Sequence, residues 1–452
     1  MSPLPLVLVA AVLAADAGFG LATAWLPEQP ILVALVAIGP TIVLVTLCWW
    51  RCVVVSRLVR AGRFDLLPGA SLLIRMAQAL ILFNAILVIL VMDWLAIIRG
   101  QVSNLILLDE VITMAPALAG LFLMSLAWYP LERTLAQRHG ATLRGPLGFA
   151  WSQFSIQVLL GLVPALIILA AFEVADEIQA EGLTGVVMPL LLLLAVVFVF
   201  VGTPWLVRIV LSVRPMDPGP LRDRLQQVCQ VHHVRIREIF LWRTGGLMLN
   251  AAVVGFVAPL RYVLLTDMLV RMLPEQQAEA VMAHEVGHVR CRHMPWLFLV
   301  ILSLVLLVEA ALLPFQELSK QWGLLHLGIL LVVVWIGLGW VSRRFERQAD
   351  TFAAIHLSGK TGTSGSTVTL EAVTMMIGAL QSIACLNGDS ARRPSWRHGS
   401  IAWRCDNLGK LVGCPPDGVP IDRVVVWIKV ATIMVGGVAL AILLTMSPME
   451  IA

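Results

Sequence analysis

Two histidines four residues apart, with a glutamate after the first, hold the spacing in this chain that could do chemistry: His284-Glu285-Val286-Gly287-His288. On a helix, residues four apart share a face and lie one turn from each other. His284 and His288 can therefore offer imidazole nitrogens to one zinc ion. Glu285 is offset from the metal and reaches its water instead, as a general base. The flanking residues favour a helix: Pro274 suits a first turn, and Glu275 stands where the helix dipole favours an acid. Gln276 to Met282 holds no breaker. Gly287 costs about 1 kcal/mol inside a helix, but it leaves room for another segment to approach closely.

A catalytic zinc needs three protein ligands and an open position. His293 is the nearest candidate. On a continuous helix it lies about 180° around from His284 and faces the wrong way, so a surface or supporting histidine is its plainer reading. Glu346 is the better candidate. It sits in Arg343-Arg344-Phe345-Glu346-Arg347-Gln348-Ala349-Asp350, which reads as a helix beginning where an apolar run ends. Asp350 follows by one turn, so both carboxylates share a face. Glu346 can bind zinc while Asp350 accepts a hydrogen bond from a ligand histidine's other nitrogen, which fixes the ring's tautomer. The plainer alternative is that these acids only neutralise Arg343, Arg344 and Arg347. The metal motif upstream weighs against it.

The elements that must position these residues are mostly membrane spans. Of 452 residues, 59% are hydrophobic and 13% charged, where a soluble protein carries about 25% charged; mean hydropathy is +0.89. This composition predicts a mainly α, polytopic membrane protein lying in a lipid bilayer. A net charge of +4, with the basic residues between apolar runs, gives no nucleic-acid surface. About nine runs reach spanning length, near 4–26, 30–50, 72–98, 105–129, 147–172, 186–212, 295–315, 323–341 and 424–446. The first lacks a basic leading segment and contains Asp16, so it reads as a span rather than a cleaved signal.

Arginine placement gives an orientation. Arg51, Arg57, Arg60 and Arg63 follow the second span, Arg133, Arg138 and Arg144 the fourth, Arg214, Arg222 and Arg224 the sixth, and Arg343 and Arg344 the eighth. Glu173, Asp176, Glu177 and Glu181 lie between the fifth and sixth with no basic residue. All basic loops fall on one side if the N-terminus is cytoplasmic, and the histidine motif is then cytoplasmic too. The seven cysteines are scattered, none as C-x-x-C, and should be reduced on that side. Only four of the 32 basic residues are lysine, which hints at a GC-rich bacterial source and hence an inner membrane.

Five segments follow: a six-span membrane block, 1–213; a polar stretch with the motif helix, 214–294; a two-span hairpin, 295–341; a second polar stretch, 342–422; and a last span with its tail, 423–452. The first polar stretch predicts a helix at Gly219–Gln230 and strands near 236–243, 248–256 and 261–266. The two polar stretches together make an α+β metallopeptidase domain split by the hairpin. Ser358–Thr367, rich in Gly, Ser and Thr, predicts a loop.

With its metal motif and Glu346-Arg-Gln-Ala-Asp350 separated by a two-span hairpin, residues 214–446 resemble the integral-membrane gluzincin metalloproteases. That family includes the heat-shock protease HtpX and the type I CAAX prenyl endopeptidase. The resemblance implies one zinc per chain on His284, His288 and Glu346, Glu285 as base, and Asp350 behind the ligands. Leu249-Asn250-Ala251 resembles the family's edge strand, which pairs with an extended substrate; the alternative is that Asn250 is a turn residue. His398-Gly399-Ser400-Ile401-Ala402-Trp403-Arg404 resembles a downstream His-Pro-Ser…Arg segment, with Gly399 in place of proline. If it matches, His398 donates to the oxyanion and Arg404 braces the site. Otherwise His398 is a solvated histidine among Arg392, Arg393 and Arg397.

Asp16, Arg75, Asp93, Asp109, Glu110 and Glu309 lie in or beside apolar runs. They either pair, snorkel or sit at the interface, or line a polar cavity that admits substrate. The expected function is cleavage of polypeptides, first among them membrane proteins in quality control. Two alternatives stand: a signalling protease gated by ligand on the first six spans, and a non-catalytic zinc scaffold. Glu285→Gln separates the scaffold, which would keep its function, from both proteases, which would lose theirs. The sequence carries no signal for oligomeric state.

Overall fold

Backbone groups in hydrocarbon must bond within their own segment, so the apolar runs become helices. The computed structural model describes residues 4–16, 29–102, 106–138, 143–180, 187–244, 248–315, 323–361, 367–387, 391–416 and 419–446. Among them, eight helices are long and apolar enough to cross a membrane. Two units follow one another in the chain, Met1–Ser212 and Val213–Ala452.

The first unit is all helical: α1 (Leu4–Asp16), α2 (Pro30–Arg60), α3 (Leu67–Val91), α4 (Trp94–Val102), α5 (Leu108–Arg138), α6 (Pro146–Phe154), α7 (Leu160–Ala180) and α8 (Val187–Val210). A π turn over Ser155–Leu159 joins α6 to α7. The first expected span supplies only the 13 residues of α1, about 20 Å against a hydrocarbon core of about 30 Å. The rest of that run lies outside the described residues. The run at 72–98 is two helices, because Asp93 takes a φ of +51° and turns the chain between α3 and α4. Three of the embedded acids are paired within this unit: Arg99 meets Asp109 and Asp16 at 2.6 Å each and Glu110 at 2.9 Å. In the second unit Glu309 meets His326 at 3.0 Å.

The second unit interleaves β1 (Val213–Pro215), α9 (Pro220–Val231), β2 (Glu238–Trp242), β3 (Ala251–Val254), β4 (Tyr262–Thr266), α10 (Asp267–Met272), α11 (Glu275–Arg290), α12 (His293–Leu312), α13 (Gly323–Thr361), α14 (Leu370–Leu386), α15 (Ile401–Gly409) and α16 (Pro420–Met446). The sheet order is β1-β2-β4-β3, with β2 and β4 parallel and the outer pairs antiparallel. β3 is thus an edge. The three expected strands are present but shorter, and β1 is additional: three residues ending in proline are too few to show a period. Ile239, Val263, Leu265, Met282, Phe345 and Ala353 are among the residues that bury the sheet, α11 and α13 against one another.

α13 is one helix of 39 residues that leaves the apolar run and continues through Glu346 and Asp350. It reaches Thr361, so Ser358–Thr361 is helical where a loop was expected. The Ser358 hydroxyl is satisfied inside the helix, donating to the Ala354 carbonyl at 2.7 Å. Residues 362–366 of that expected loop lie outside the described residues.

Candidate metal centre

α11 begins after Pro274, with Glu275 in its first turn. Ala278, Ala280, Met282, Ala283 and Val286 are fully buried or nearly so and seat it in the core. Gly287 does leave room for a neighbour: a Cβ there would stand 3.1 Å from the Phe352 ring of α13. A buried pair on the same two helices, His356 with Glu279 at 3.1 Å, clamps them further, and Arg224 of α9 meets Glu279 at 2.6 Å.

This packing brings His284, His288 and Glu346 together. The two Nε2 atoms are 3.2 Å apart, and each is 3.6 Å from a Glu346 oxygen. A tetrahedral zinc with bonds of about 2.0–2.2 Å separates its ligand atoms by about 3.3–3.5 Å. The three side chains fit such an ion, and they form a group that can hold a metal. Glu346 and His284 are buried.

Each histidine turns its other nitrogen to a support. His284 Nδ1 lies 2.9 Å from Asp350 Oδ1. Asp350 is itself gripped by Arg404, Nε to Oδ2 at 2.8 Å and Nη2 to Oδ1 at 2.6 Å. Arg404 Nη1 also stands 3.5 Å from Glu346. Arg343, Arg344 and Arg347 form no ion pair with Glu346 or Asp350; the arginine that holds these acids is Arg404.

His288 Nδ1 lies 2.8 Å from Nδ1 of His293. The continuous helix assumed for His293 does not exist. α11 stops at Arg290, Arg292 adopts a left-handed φ of +56°, and His293 opens α12 facing back to the site. Its Nε2 meets Gln348 Oε1 at 2.8 Å, and Gln348 donates to Asp422 of α16 at 2.6 Å. The His293 ring stacks on Phe345, 4.4 Å between centroids. Sequence reasoning missed Gln348 and Asp422 as parts of this chain. Pro295 was the usable signal for the break, since proline belongs in a first helical turn.

Burial works against charge on His284, yet the Asp350 and Glu346 carboxylates outweigh it and push the ring up to about 10. Burial holds His288 well below its usual value, with His284 and His293 adding to the effect. A proton on this pair is what a cation would displace on binding. Glu285, beside them, is pushed up to about 6 by burial, against the pull of His284.

Glu285 also touches the edge strand. Thr266 N donates to the Asn250 carbonyl at 3.0 Å, so 250 and 266 are a hydrogen-bonded pair. Alternation then turns the main-chain groups of Ala251 and Val253 away from β4. Val253 N accordingly donates to Glu285 Oε2 at 3.1 Å. Asn250 is exposed at the head of this edge. Asn387, which sequence reasoning also missed, braces the strand by bonding both main-chain groups of Leu249, at 2.8 and 2.9 Å. His398 is half-exposed at the mouth of the site, its Nδ1 2.9 Å from Glu346 Oε1. The nine candidates of the sequence thus lie in one unit; Asp350, Arg404 and His398 contact the His284, His288 and Glu346 group directly, and the strand of Asn250 and Ala251 meets Glu285 through Val253.

Residues 241–385 match the model of Peptidase family M48. The matched stretch contains the metal motif, Glu346, Asp350 and the edge strand; His398 and Arg404 lie beyond it. A CAAX prenyl protease 1 homolog of Arabidopsis thaliana is 26% identical over 157 residues, 31% of this chain and 37% of that protein. The match therefore spans well under half of that relative's length. The crystal structure of S. mikatae Ste24p aligns with 90% of this chain and 99% of its own at 15% identity, with a TM-score of 0.46. The second unit carries a peptidase-family segment within a multi-pass membrane protein, consistent with the integral-membrane M48 metalloproteases.

Proposed function

We propose that the chain is a zinc metalloendopeptidase that hydrolyses peptide bonds in polypeptides at the cytoplasmic face of the membrane. The observation that carries this is the convergence of His284, His288 and Glu346, the two Nε2 atoms 3.2 Å apart and each 3.6 Å from a different Glu346 oxygen, beside a Glu285 placed against an edge strand. Zinc held by these three residues would supply an acidified water and a positive charge next to the scissile carbonyl. Glu285 takes a proton on its carboxylate and returns it to the leaving amine. Ala251 pairs with the main chain of an extended substrate, which sets the scissile bond beside Glu285. Because His398 Nδ1 is committed to Glu346, Nε2 donates to an oxyanion only when the ring is an imidazolium. Arg404 keeps Glu346 and Asp350 in place.

The basic loops favour a cytoplasmic site, and α13 carries Glu346 a short way beyond the apolar run. Both favour membrane proteins or their tails as substrates, in quality control at a bacterial inner membrane. Prenylated substrates, suggested by the name of the Arabidopsis relative, come second, given the bacterial cast of the arginine-rich composition.

The test uses wild type, Glu285→Gln and Glu346→Ala purified in detergent, assayed for zinc per chain and for cleavage of an unfolded protein. Wild type and Glu285→Gln should hold one zinc, only wild type should cleave, and Glu346→Ala should lose zinc. Wild-type zinc affinity in Glu346→Ala, or cleavage by Glu285→Gln at the wild-type rate, would overturn the reading.

A further inference from the structure

We propose that the hairpin Ser395–Gly399 and the arginines around it form a docking surface for the headgroups of anionic phospholipids. Two main-chain bonds between Ser395 and Gly399, at 2.9 and 3.0 Å, close the hairpin. Gly399 has a φ of +74°, a turn geometry open to glycine.

The hairpin is laid along one stripe of α13. Trp396 stacks on Trp335, with centroids 5.7 Å apart and planes 5° from parallel, and gives its indole N–H to the Trp335 carbonyl at 3.0 Å. Gly339, one turn on, makes room for this ring: a Cβ there would collide with the indole nitrogen of Trp396. Arg343, a further turn on, donates to the Trp396 carbonyl at 2.8 Å. Positions 335, 339 and 343 share one helix face.

That stripe lies where the apolar run of α13 ends. Trp335 and Trp340 are 54% and 42% exposed, and tryptophans at such a place mark the bilayer boundary. Arg344 lies over the Trp340 ring at 4.0 Å. Arg392 and Arg393, just before the hairpin, are exposed, and Arg397 at its tip is half-buried. None of these five arginines has a carboxylate partner among the described residues. Several guanidinium groups without acids among the described residues, beside exposed indoles at the end of a span, fit a phosphate carried on an apolar body. A lipid supplies both parts; a soluble acidic peptide supplies only the charge. This inference does not depend on the peptidase reading.

The experiment reconstitutes the full chain in phosphatidylcholine vesicles and measures the association of spin-labelled phosphatidylglycerol relative to spin-labelled phosphatidylcholine. Wild type should favour phosphatidylglycerol. The triple variant Arg392→Gln, Arg393→Gln, Arg397→Gln should lose up to about fivefold of that preference for each arginine removed, with an unchanged circular dichroism spectrum. Glu285→Gln should behave as wild type, which separates this result from the fate of the peptidase reading. The same preference in wild type and triple variant would overturn the proposal. So would a triple variant that loses polyglutamate binding while its lipid preference is unchanged, since the surface would then serve an acidic peptide.

Discussion

His284 and His288, the proposed ligand histidines, are braced by opposite means. His284 leans on a charge: Asp350, held by two bonds from a buried Arg404. His288 leans on a neutral ring, His293, and through it on Gln348 and Asp422. The first brace works by electrostatic attraction. The second works only through an ordered set of protons. With Nε2 of His288 toward the metal, its Nδ1–H donates to His293 Nδ1, His293 Nε2–H donates to Gln348, and the Gln348 amide donates to Asp422. One ligand is fixed within the packed core of the unit, while the other is tied to the first turn of its last span. A change in that span can therefore reach one ligand and leave the other in place.

Removing a member of the charged brace should do the most harm. Arg404→Ala leaves Asp350 buried without its main partner, a loss of about 3–5 kcal/mol, read as a lower thermal unfolding temperature in detergent. An unchanged temperature would show that the pair is dispensable. Next come the supports themselves. Asp350→Ala should weaken zinc binding toward about a hundredfold and His293→Ala nearer tenfold, within the span expected of groups behind metal ligands. Chelator competition measures both, and equal losses would erase the distinction drawn above.

Glu285 belongs to neither brace and gives an independent reading. Its acid form is raised by burial to about 6, and only the carboxylate accepts a proton. On the acid side, activity should fall about tenfold per unit once pH drops through that value. A bound cation moves the fall to lower pH still, so a decline already under way between pH 8 and 7 would contradict the assignment. Asp422→Ala, at the far end of the neutral brace, should change zinc dissociation less than His293→Ala does, with no change in unfolding temperature. Gly287→Ala should be smallest. The helix gains about 1 kcal/mol from alanine, and pushing back Phe352 costs a similar amount, so unfolding should move little in either direction.

Much of this was legible in the sequence where one helix carries the information. His284 and His288, and Glu346 and Asp350, are each four apart, and a period of 3.6 places each pair without knowledge of the fold. What failed was local geometry with no ordinary marker. Arg292 takes a left-handed conformation usually left to glycine or asparagine, so a periodic reading ran the helix past it and turned His293 away. β1 is too short to alternate. Contacts across long separations, such as Arg404 with Asp350, Asn387 with Leu249 and Trp396 with Trp335, leave no periodic trace. The resemblance pointed to Arg404 but gave it no partner. In the first unit, Arg99 was overlooked as the partner of Asp16, Asp109 and Glu110 because it lies at the end of an apolar run that reads as unbroken.

α13 has no proline from Gly323 to Thr361 and so acts as a stiff rod about 58 Å long, half of it in the bilayer and half in the site. Tilting such a rod by about 5° around the middle of its apolar half would carry Glu346 sideways by roughly 2 Å, a shift opposed by the Gly287–Phe352 packing and the His356–Glu279 pair. A span tilts when hydrocarbon thickness changes, and misplacement of about 1 Å can cost a reaction a hundredfold. Acyl-chain length would then act on this centre as a tuning variable, read as a rate optimum at one bilayer thickness.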